Sequence, residues 1–236
     1  MKSKKWNLKI KNEADVAEIW IYGNICDDTD GTFYREVCGV EGFVFPKEIR
    51  EQLDGIGDKP VNVYIASDGG DVNAGFAIAN IIGRLKGKTT AYVDSWAASI
   101  ASVICLVCDE VVMPMNTFIM IHNPACICMG NAKDMRECAD LLDTMRDSII
   151  TVYKQHDKAD TDFVPLMDAE TWLSAEESSK IWDHVKLVEA TNKAVACFSG
   201  FASAPEQFKK HEHEEEAKPD YSDLIKQAAE VLENDK

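Results

Sequence analysis

Short β-rich runs alternate with helical patterns along most of this 236-residue chain. Residues 61–67 alternate and are β-branched, which predicts a strand, and the spacing of apolar residues from Asp71 onward predicts a helix. A strand is then predicted at 89–93 and a buried helix at 96–107. Further strand-like runs lie at 16–23, 110–114 and 117–123, and another helical pattern starts at Phe45. This succession predicts a mostly parallel sheet with helices on both faces.

The longest predicted helix begins near Asn131 and continues to Tyr153 without a proline. Apolar residues recur along one side of it, namely Met135, Ala139, Leu142, Met145, Ile149 and Val152. A helix of about 22 residues is roughly 33 Å long, which is long for a domain of this size. It is expected either to project and pack against a partner subunit or to lie over the sheet.

The C-terminal part changes in composition. Ser174 and Glu177 form a capping box that starts one more helix. Residues 204–220 are polar and Glu-rich, and 221–236 carry a short amphipathic pattern. We therefore expect one domain over 1–203, followed by a linker and a C-terminal helix over 204–236. The segment 27–44 stays open between an entrance loop, an inserted turn and a docking surface.

Charge and hydropathy exclude several functions. The formal net charge is -16, so nucleic acid and anionic membranes are poor partners. No apolar run reaches the roughly 18 residues of a membrane span, and the N-terminus lacks the apolar segment of a secretory signal. We expect a cytoplasmic protein that needs no cofactor.

Cysteine spacing raises the question of a metal. Cys105 and Cys108 are spaced CxxC, and Cys126 and Cys128 are spaced CxC, so four thiolates around zinc are conceivable. The first pair lies in an apolar run, where cysteine behaves as a small hydrophobe. Free thiols and no metal are therefore expected.

Three motifs could carry chemistry. Ser67-Asp68-Gly69-Gly70-Asp71 joins a strand to a helix, where backbone N–H groups can bind an anion or simply form a tight turn. Ser99 lies in an Ala/Ser-rich turn before a helix, as a nucleophile or as packing. His122 closes an apolar strand, as a base or as a structural residue.

Taken together and in order, these motifs resemble those of the Clp protease proteolytic subunit, most closely its phage and prophage branch. The resemblance spans about residues 16–190: strand–SDGG–helix, strand–turn–AAS–helix, MIHNP, a long helix and ETWLSAEE. It implies an α/β fold of the ClpP/crotonase type, with repeated β-β-α and βαβ units and a long projecting helix. It also implies a serine endopeptidase that cleaves polypeptides, and phage or prophage protein processing is one conceivable role.

The resemblance assigns a role to each matching residue. Ser99 is the nucleophile, His122 the general base and Glu170 the aligned acid, with Asp168 as a credible substitute. The backbone N–H groups of Gly70 and Ile100 form the oxyanion hole. The family's partners imply a homo-oligomeric ring, expected to be a heptamer or stacked rings joined through 131–154, and a separate AAA+ ATPase.

Two alternatives stay open. A catalytically degenerate ring scaffold is conceivable because Asp68, the stretch Asp94-Ser95-Trp96 and Lys180 replace residues common in the family. A crotonase-like acyl-CoA enzyme shares the fold but needs no serine, histidine and acid in this order. A serine–lysine peptidase is disfavoured because no lysine lies between Thr90 and Ala132.

Overall fold

The structure, a computed structural model, describes residues 11–12, 16–53 and 55–189. Its strands are β1 (Lys11–Asn12), β2 (Ala17–Ile25), β3 (Phe43–Val44), β4 (Val61–Gly70), β5 (Thr89–Ala98), β6 (Glu110–Pro114), β7 (Phe118–Ile121), β8 (Thr171–Ser174) and β9 (Val185–Val188). Its α-helices are α1 (Asp28–Thr32), α2 (Pro46–Leu53), α3 (Val72–Ile82), α4 (Ile100–Leu106), α5 (Ala132–Tyr153), α6 (Phe163–Asp168) and α7 (Ala175–Ile181). None of the helices in these ranges combines the length and the apolarity that a membrane span requires.

The sheet is mostly parallel. Its main path runs β1-β2-β4-β5-β6-β9, and every neighbouring pair except the antiparallel β1-β2 is parallel. Strand β3 pairs with β2, whereas β7 pairs parallel with β5 and antiparallel with β8. The predicted α/β class is confirmed. Because β4 and β5 are parallel neighbours, their carboxyl ends meet at one edge of the sheet, and the turn that contains Ser99 follows β5 at that edge.

The helix predicted over 96–107 is shorter than expected. Strand β5 continues through Trp96 to Ala98, because these residues pair with Phe118–Met120 of β7. Helix α4 therefore begins only at Ile100, and it is buried along its whole length. The small residues before Ser99 suit the close pairing of β5 with β7, which a helical interpretation of the sequence overlooked.

Burial explains the fate of the CxxC pair. Cys105 lies on α4 and Cys108 just after it, and both are fully buried. Burial raises the pKa of the Cys105 thiol well above its ordinary value and that of Cys108 to about 12. Both behave as core residues with protonated thiols, in agreement with the expectation of free cysteines.

The predicted long helix is present as α5, with 22 residues. A capping box between Asn131 and Asp134 starts it. Of its residues, only Ile149 and Tyr153 are buried, and both lie in its last two turns. Met135 and Leu141 are 41% and 54% exposed. In the described chain, the first part of α5 thus packs little against the domain.

The remaining sequence predictions have mixed outcomes. The capping box of Ser174 and Glu177 starts α7, as predicted. The segment 27–44 is more ordered than a loop: it contains α1, a π-helical turn (Phe33–Val37) and β3. The predicted linker and C-terminal helix over 204–236 lie outside the described residues.

Candidate active site

Ser99 occupies a sharp turn between β5 and α4. Its backbone angles are φ 53° and ψ -129°, and a non-glycine residue with positive φ is held there only by its surroundings. The Ser99 N–H donates to the Met120 carbonyl at 2.9 Å, and its own carbonyl accepts from the Ser102 N–H at 3.0 Å. The strained turn presents the hydroxyl at the end of the strand, which is how nucleophile turns expose a serine.

His122 follows β7 and reaches this hydroxyl. Its Nε2 lies 2.7 Å from Ser99 Oγ. The pairing of Ala98 with Met120 explains this proximity, because Ser99 comes one residue after Ala98 and His122 comes two residues after Met120. A hydroxyl and an imidazole at this distance have the geometry in which a base removes the proton of a nucleophile.

A network behind Ser99 fixes the turn. Ser102 Oγ donates to the Ser99 carbonyl at 2.5 Å and lies 2.7 Å from the Tyr153 hydroxyl. Since the Ser102 proton is used on Ser99, Tyr153 donates to Ser102. Tyr153 belongs to α5 and is 1% exposed, and Trp182 Nε1 donates to its carbonyl at 2.9 Å. Neither Ser102 nor Tyr153 was predicted from the sequence as a residue of this site, although the spacing of Ser102 three residues after Ser99 is a usable signal.

The SDGG turn lies directly beside Ser99, and the glycine next to Ser99 is Gly69 rather than Gly70. A Cβ on Gly69 would lie 2.7 Å from Ser99 Cβ, 2.8 Å from the Ala98 oxygen and 3.1 Å from the Ile100 nitrogen. A Cβ on Gly70 would instead meet the Ile25 carbonyl oxygen at 2.0 Å. Both have positive φ, +90° and +142°, so each position requires glycine for space and for conformation.

The predicted oxyanion donors can now be located. Ile100 is the first residue of α4, and its nitrogen is on the side of the turn that faces Gly69. Gly70 pairs with Ile25 at the end of β4. Ser67 stabilises the SDGG turn, because its Oγ donates to the Gly23 carbonyl at 2.6 Å and accepts from the Gly69 N–H at 3.1 Å.

The two candidate acids differ in their surroundings. Strands β7 and β8 pair Ile121 with Thr171, and this is the last pair of their register; His122 follows Ile121 directly, and Glu170 directly precedes Thr171. Glu170 is exposed and has φ 49°. Asp168 is held elsewhere, because its carboxylate accepts a hydrogen bond of 2.7 Å from Asn123 Nδ2. Among the described residues, no carboxylate is within hydrogen-bond distance of His122 Nδ1.

The residues that depart from the family motifs interact with one another beside the site. Trp96 Nε1 donates to the Asp68 carboxylate at 2.6 Å, and its ring contacts Trp172 edge to face with centroids 6.4 Å apart. The Tyr22 hydroxyl donates to Asp94, whose pKa is raised, chiefly by burial. The hydrogen bond of Trp96 with Asp68 connects β5 to β4, and that of Tyr22 with Asp94 connects β2 to β5. Both leave the contact between Ser99 and His122 intact.

Metal ligands do not gather at this site. Within the described ranges, one group of three ligand-bearing side chains has its ligand atoms within 4.8 Å: His156, Asp183 and His184. The two imidazole rings are stacked with centroids 3.9 Å apart and an interplanar angle of 28°. Nearly parallel rings cannot both direct an in-plane lone pair at one ion, so this arrangement does not form a metal centre as it stands.

The chain is similar to proteins of one known family. The Clp protease family model matches residues 52–194. Proteolytic subunit 2 of the ATP-dependent Clp protease of Treponema denticola is 34% identical over 124 residues, which are 51% of this chain and 62% of the relative. The proteolytic subunit from Deinococcus radiodurans is 28% identical over 127 residues, 52% of this chain and 62% of that relative. This chain thus matches less than two thirds of the length of these relatives.

The fold has a counterpart among solved structures. A ClpP1 mutant from Listeria monocytogenes superposes with a TM-score of 0.56. The superposition covers 73% of this chain and 91% of that chain, at 23% sequence identity. The similarity therefore concerns the fold, and it confirms the type of α/β architecture expected from the sequence.

Proposed function

Because the chain belongs to the Clp protease family, we propose that it is a serine endopeptidase in which Ser99 attacks the peptide carbonyl and His122 is the general base. The observation that supports this most directly is the distance of 2.7 Å between His122 Nε2 and Ser99 Oγ. The two relatives compared above are named as proteolytic subunits, which supports the peptidase activity.

The reaction would follow the order of acyl transfer. His122 Nε2 takes the Ser99 proton as Oγ bonds to the carbonyl carbon, and the carbonyl oxygen becomes an oxyanion. The N–H groups of Gly70 and Ile100 would stabilise that charge. The imidazolium then protonates the leaving amine, which gives an acyl-enzyme on Ser99. Water, deprotonated by His122, releases the second product and restores the hydroxyl.

Glu170 would complete the triad. The position of Glu170 next to the last β7–β8 pair, Ile121 with Thr171, supports this choice over Asp168, whose carboxylate is already bound by Asn123. A carboxylate on Nδ1 fixes the tautomer that leaves Nε2 free to accept the Ser99 proton and stabilises the imidazolium. The glutamate side chain has one more rotatable bond than aspartate, so it can turn toward Nδ1 when substrate binds.

The protein would act as a homo-oligomeric ring, either a heptamer or stacked rings. Helix α5 supports this, because its first turns expose Met135 and Leu141 and only its last turns are buried. The name of the relatives, subunits of an ATP-dependent protease, supports a separate AAA+ ATPase as partner. Phage or prophage protein processing and a cytoplasmic location stay predictions.

A scaffold without activity is the second candidate function. It is favoured by the replacements Asp68, Asp94 and Trp96, which form their own contacts beside the site. A crotonase-like acyl-CoA enzyme is less well supported, because the hydrogen bond between Ser99 and His122 has no use in that chemistry.

A fluorophosphonate probe separates these possibilities. The assembled protein is treated with the probe and analysed by mass spectrometry beside Ser99→Ala, His122→Ala and, as a matched control, Ser95→Ala from the preceding strand β5. We expect stoichiometric labelling at Ser99 that disappears in Ser99→Ala, slows strongly in His122→Ala and persists in Ser95→Ala. An assembled ring that takes up no probe would contradict the peptidase and favour the scaffold.

A further inference from the structure

Three cysteine side chains meet where the segment after His122 reaches the long helix. Cys126 and Cys128 lie between β7 and α5, and Cys138 lies on the second turn of α5. The sulfur atoms of Cys126 and Cys138 are 3.0 Å apart. Cys128 Sγ donates to the Asp134 carbonyl at 3.9 Å, which keeps the third thiol beside the same helix. The proposed peptidase mechanism uses none of these three thiols.

The group differs from the other cysteines of the described chain in its access to solvent. Cys26, Cys105 and Cys108 are buried, whereas Cys126 is exposed and Cys128 and Cys138 are half-buried. Cys38 is also exposed, but no second sulfur contacts it within the described residues. Only the group around Cys126 therefore combines access for a small oxidant with a second thiol in contact.

The hydrogen bonds around Cys138 affect its protonation. Hydrogen bonds with Cys126 and then Cys128 raise the pKa of Cys138 to about 12. Cys138 thus retains its proton, and either sulfur can be the donor in the contact between Cys126 and Cys138. Cys126 is the more exposed member of the pair and is therefore the one that an oxidant reaches first.

We propose that Cys126 and Cys138 are a redox-active pair that forms an intramolecular disulfide with a low-molecular-weight disulfide as oxidant. The Cys126 thiolate attacks one sulfur of the oxidant, which gives a mixed disulfide and releases one thiolate. Cys138 then attacks Cys126 Sγ, its proton passes to solvent, and the second small thiolate leaves. Two protein thiols are oxidised, and one small disulfide is reduced to two thiols.

The backbone around the pair permits the bond. A disulfide has its sulfurs about 2.05 Å apart, so the two atoms need to approach by roughly 1 Å. The segment 122–130 contains no helix or strand, and the first turns of α5 are exposed, so neither side is locked by the core. The bridge would close the loop 126–138 and hold the chain that follows His122 against α5.

Oxidised glutathione is the probe for this pair. Reduced full-length protein is treated with it, and its intact mass is measured before and after a reductant. Trypsin cuts at Lys133 and Arg136, between the two cysteines, so the bridge is seen as a cross-linked peptide pair. Cys138→Ser removes the resolving thiol, and Cys38→Ser serves as the control for an exposed cysteine outside the group.

We expect wild type and Cys38→Ser to lose two hydrogen atoms at this site and to yield the Cys126–Cys138 peptide pair. Cys138→Ser is expected to retain glutathione on Cys126. Closing this loop should raise the Tm of the oxidised protein by on the order of 5 °C, reversibly with reductant. A persistent glutathione adduct on wild-type Cys126, a Cys126–Cys128 bridge or a disulfide between two chains would each overturn the proposal.

Discussion

The hydroxyl group of Ser102 donates a hydrogen bond of 2.5 Å to the carbonyl oxygen of Ser99, and the Tyr153 hydroxyl lies 2.7 Å behind it. These hydrogen bonds connect the long helix α5 to the backbone of the turn that contains Ser99. A strained turn keeps its shape only where its surroundings over-determine it, and these hydrogen bonds supply that support. Ser102 and Tyr153 are therefore positioning residues for Ser99.

The first prediction concerns this support. Ser102→Ala should lower the rate of fluorophosphonate labelling at Ser99 by about 10-fold, because a lost buried hydrogen bond costs about 1.4 kcal/mol and the turn relaxes. Tyr153→Phe should have a smaller effect in the same direction. Ser178→Ala is the matched control, since Ser178 is buried and its hydroxyl has no hydrogen-bond partner. Equal labelling rates in all three variants would contradict a positioning role.

The second prediction concerns Gly69. Gly69→Ala should slow labelling of Ser99 by on the order of 100-fold, because the new methyl group lies 2.7 Å from Ser99 Cβ and displaces the oxyanion donors. Gly55→Ala introduces a comparable backbone strain, with φ +85°, but its methyl group meets nothing within 4 Å. Labelling rates and melting curves of the two variants separate damage to the site from general strain. Equal losses in both variants would show that strain alone is responsible.

The sequence predicted much of this arrangement and missed other parts for physical reasons. The order of the motifs suffices to bring Ser99 and His122 together, since parallel strands deliver their carboxyl ends to one edge. Gly69 rather than Gly70 lies beside Ser99 because of the backbone angles of these two adjacent glycines. The sequence shows two identical residues and does not indicate which of them contacts Ser99. The extension of β5 to Ala98 depends on pairing with β7, a tertiary contact that overrides helix propensity. The contact of Cys126 with Cys138 requires the path of the connecting segment.

The third prediction separates the two candidate acids. Glu170→Gln should lower the labelling rate by on the order of 100-fold or more, because a neutral amide stabilises neither the required tautomer nor the imidazolium. Asp168→Asn should change the rate little, as its carboxylate is bound to Asn123. The labelling rate measured as a function of pH distinguishes an electrostatic role of the acid from a structural one. Only loss of an electrostatic role is expected to shift the pH at which the rate changes. A large loss in Asp168→Asn alone would assign the acid to Asp168.

The fourth prediction concerns assembly through α5. Leu141 is 54% exposed on this helix, and Leu141→Lys should weaken association because it introduces a charge where two apolar faces are proposed to meet. Analytical ultracentrifugation of wild type and variant should show a lower mass for the variant. The helical circular dichroism should stay unchanged, because the side chain contributes little to the core of the subunit. An unchanged mass would contradict an interface at this position.

The last prediction is a pH dependence of stability that originates at His184. Its side chain is only 6% exposed. Burial, followed by the nearby His156, lowers its pKa to about 4, whereas the Leu106 backbone, Asp183 and Asp109 act in the opposite direction. Folding thus favours the neutral imidazole.

The sign follows from the two pKa values. In the unfolded chain this histidine binds a proton near pH 6.5, and in the folded chain only near pH 4. The contribution of His184 to the free energy of unfolding is therefore at its maximum above pH 6.5. It decreases as the pH drops toward 4, and below that the free energy of unfolding is lower by up to about 3 kcal/mol. His184→Gln cannot titrate, so its Tm should fall less than that of wild type between about pH 7 and pH 5. Parallel Tm curves for the two proteins would mean that another group causes the acid sensitivity.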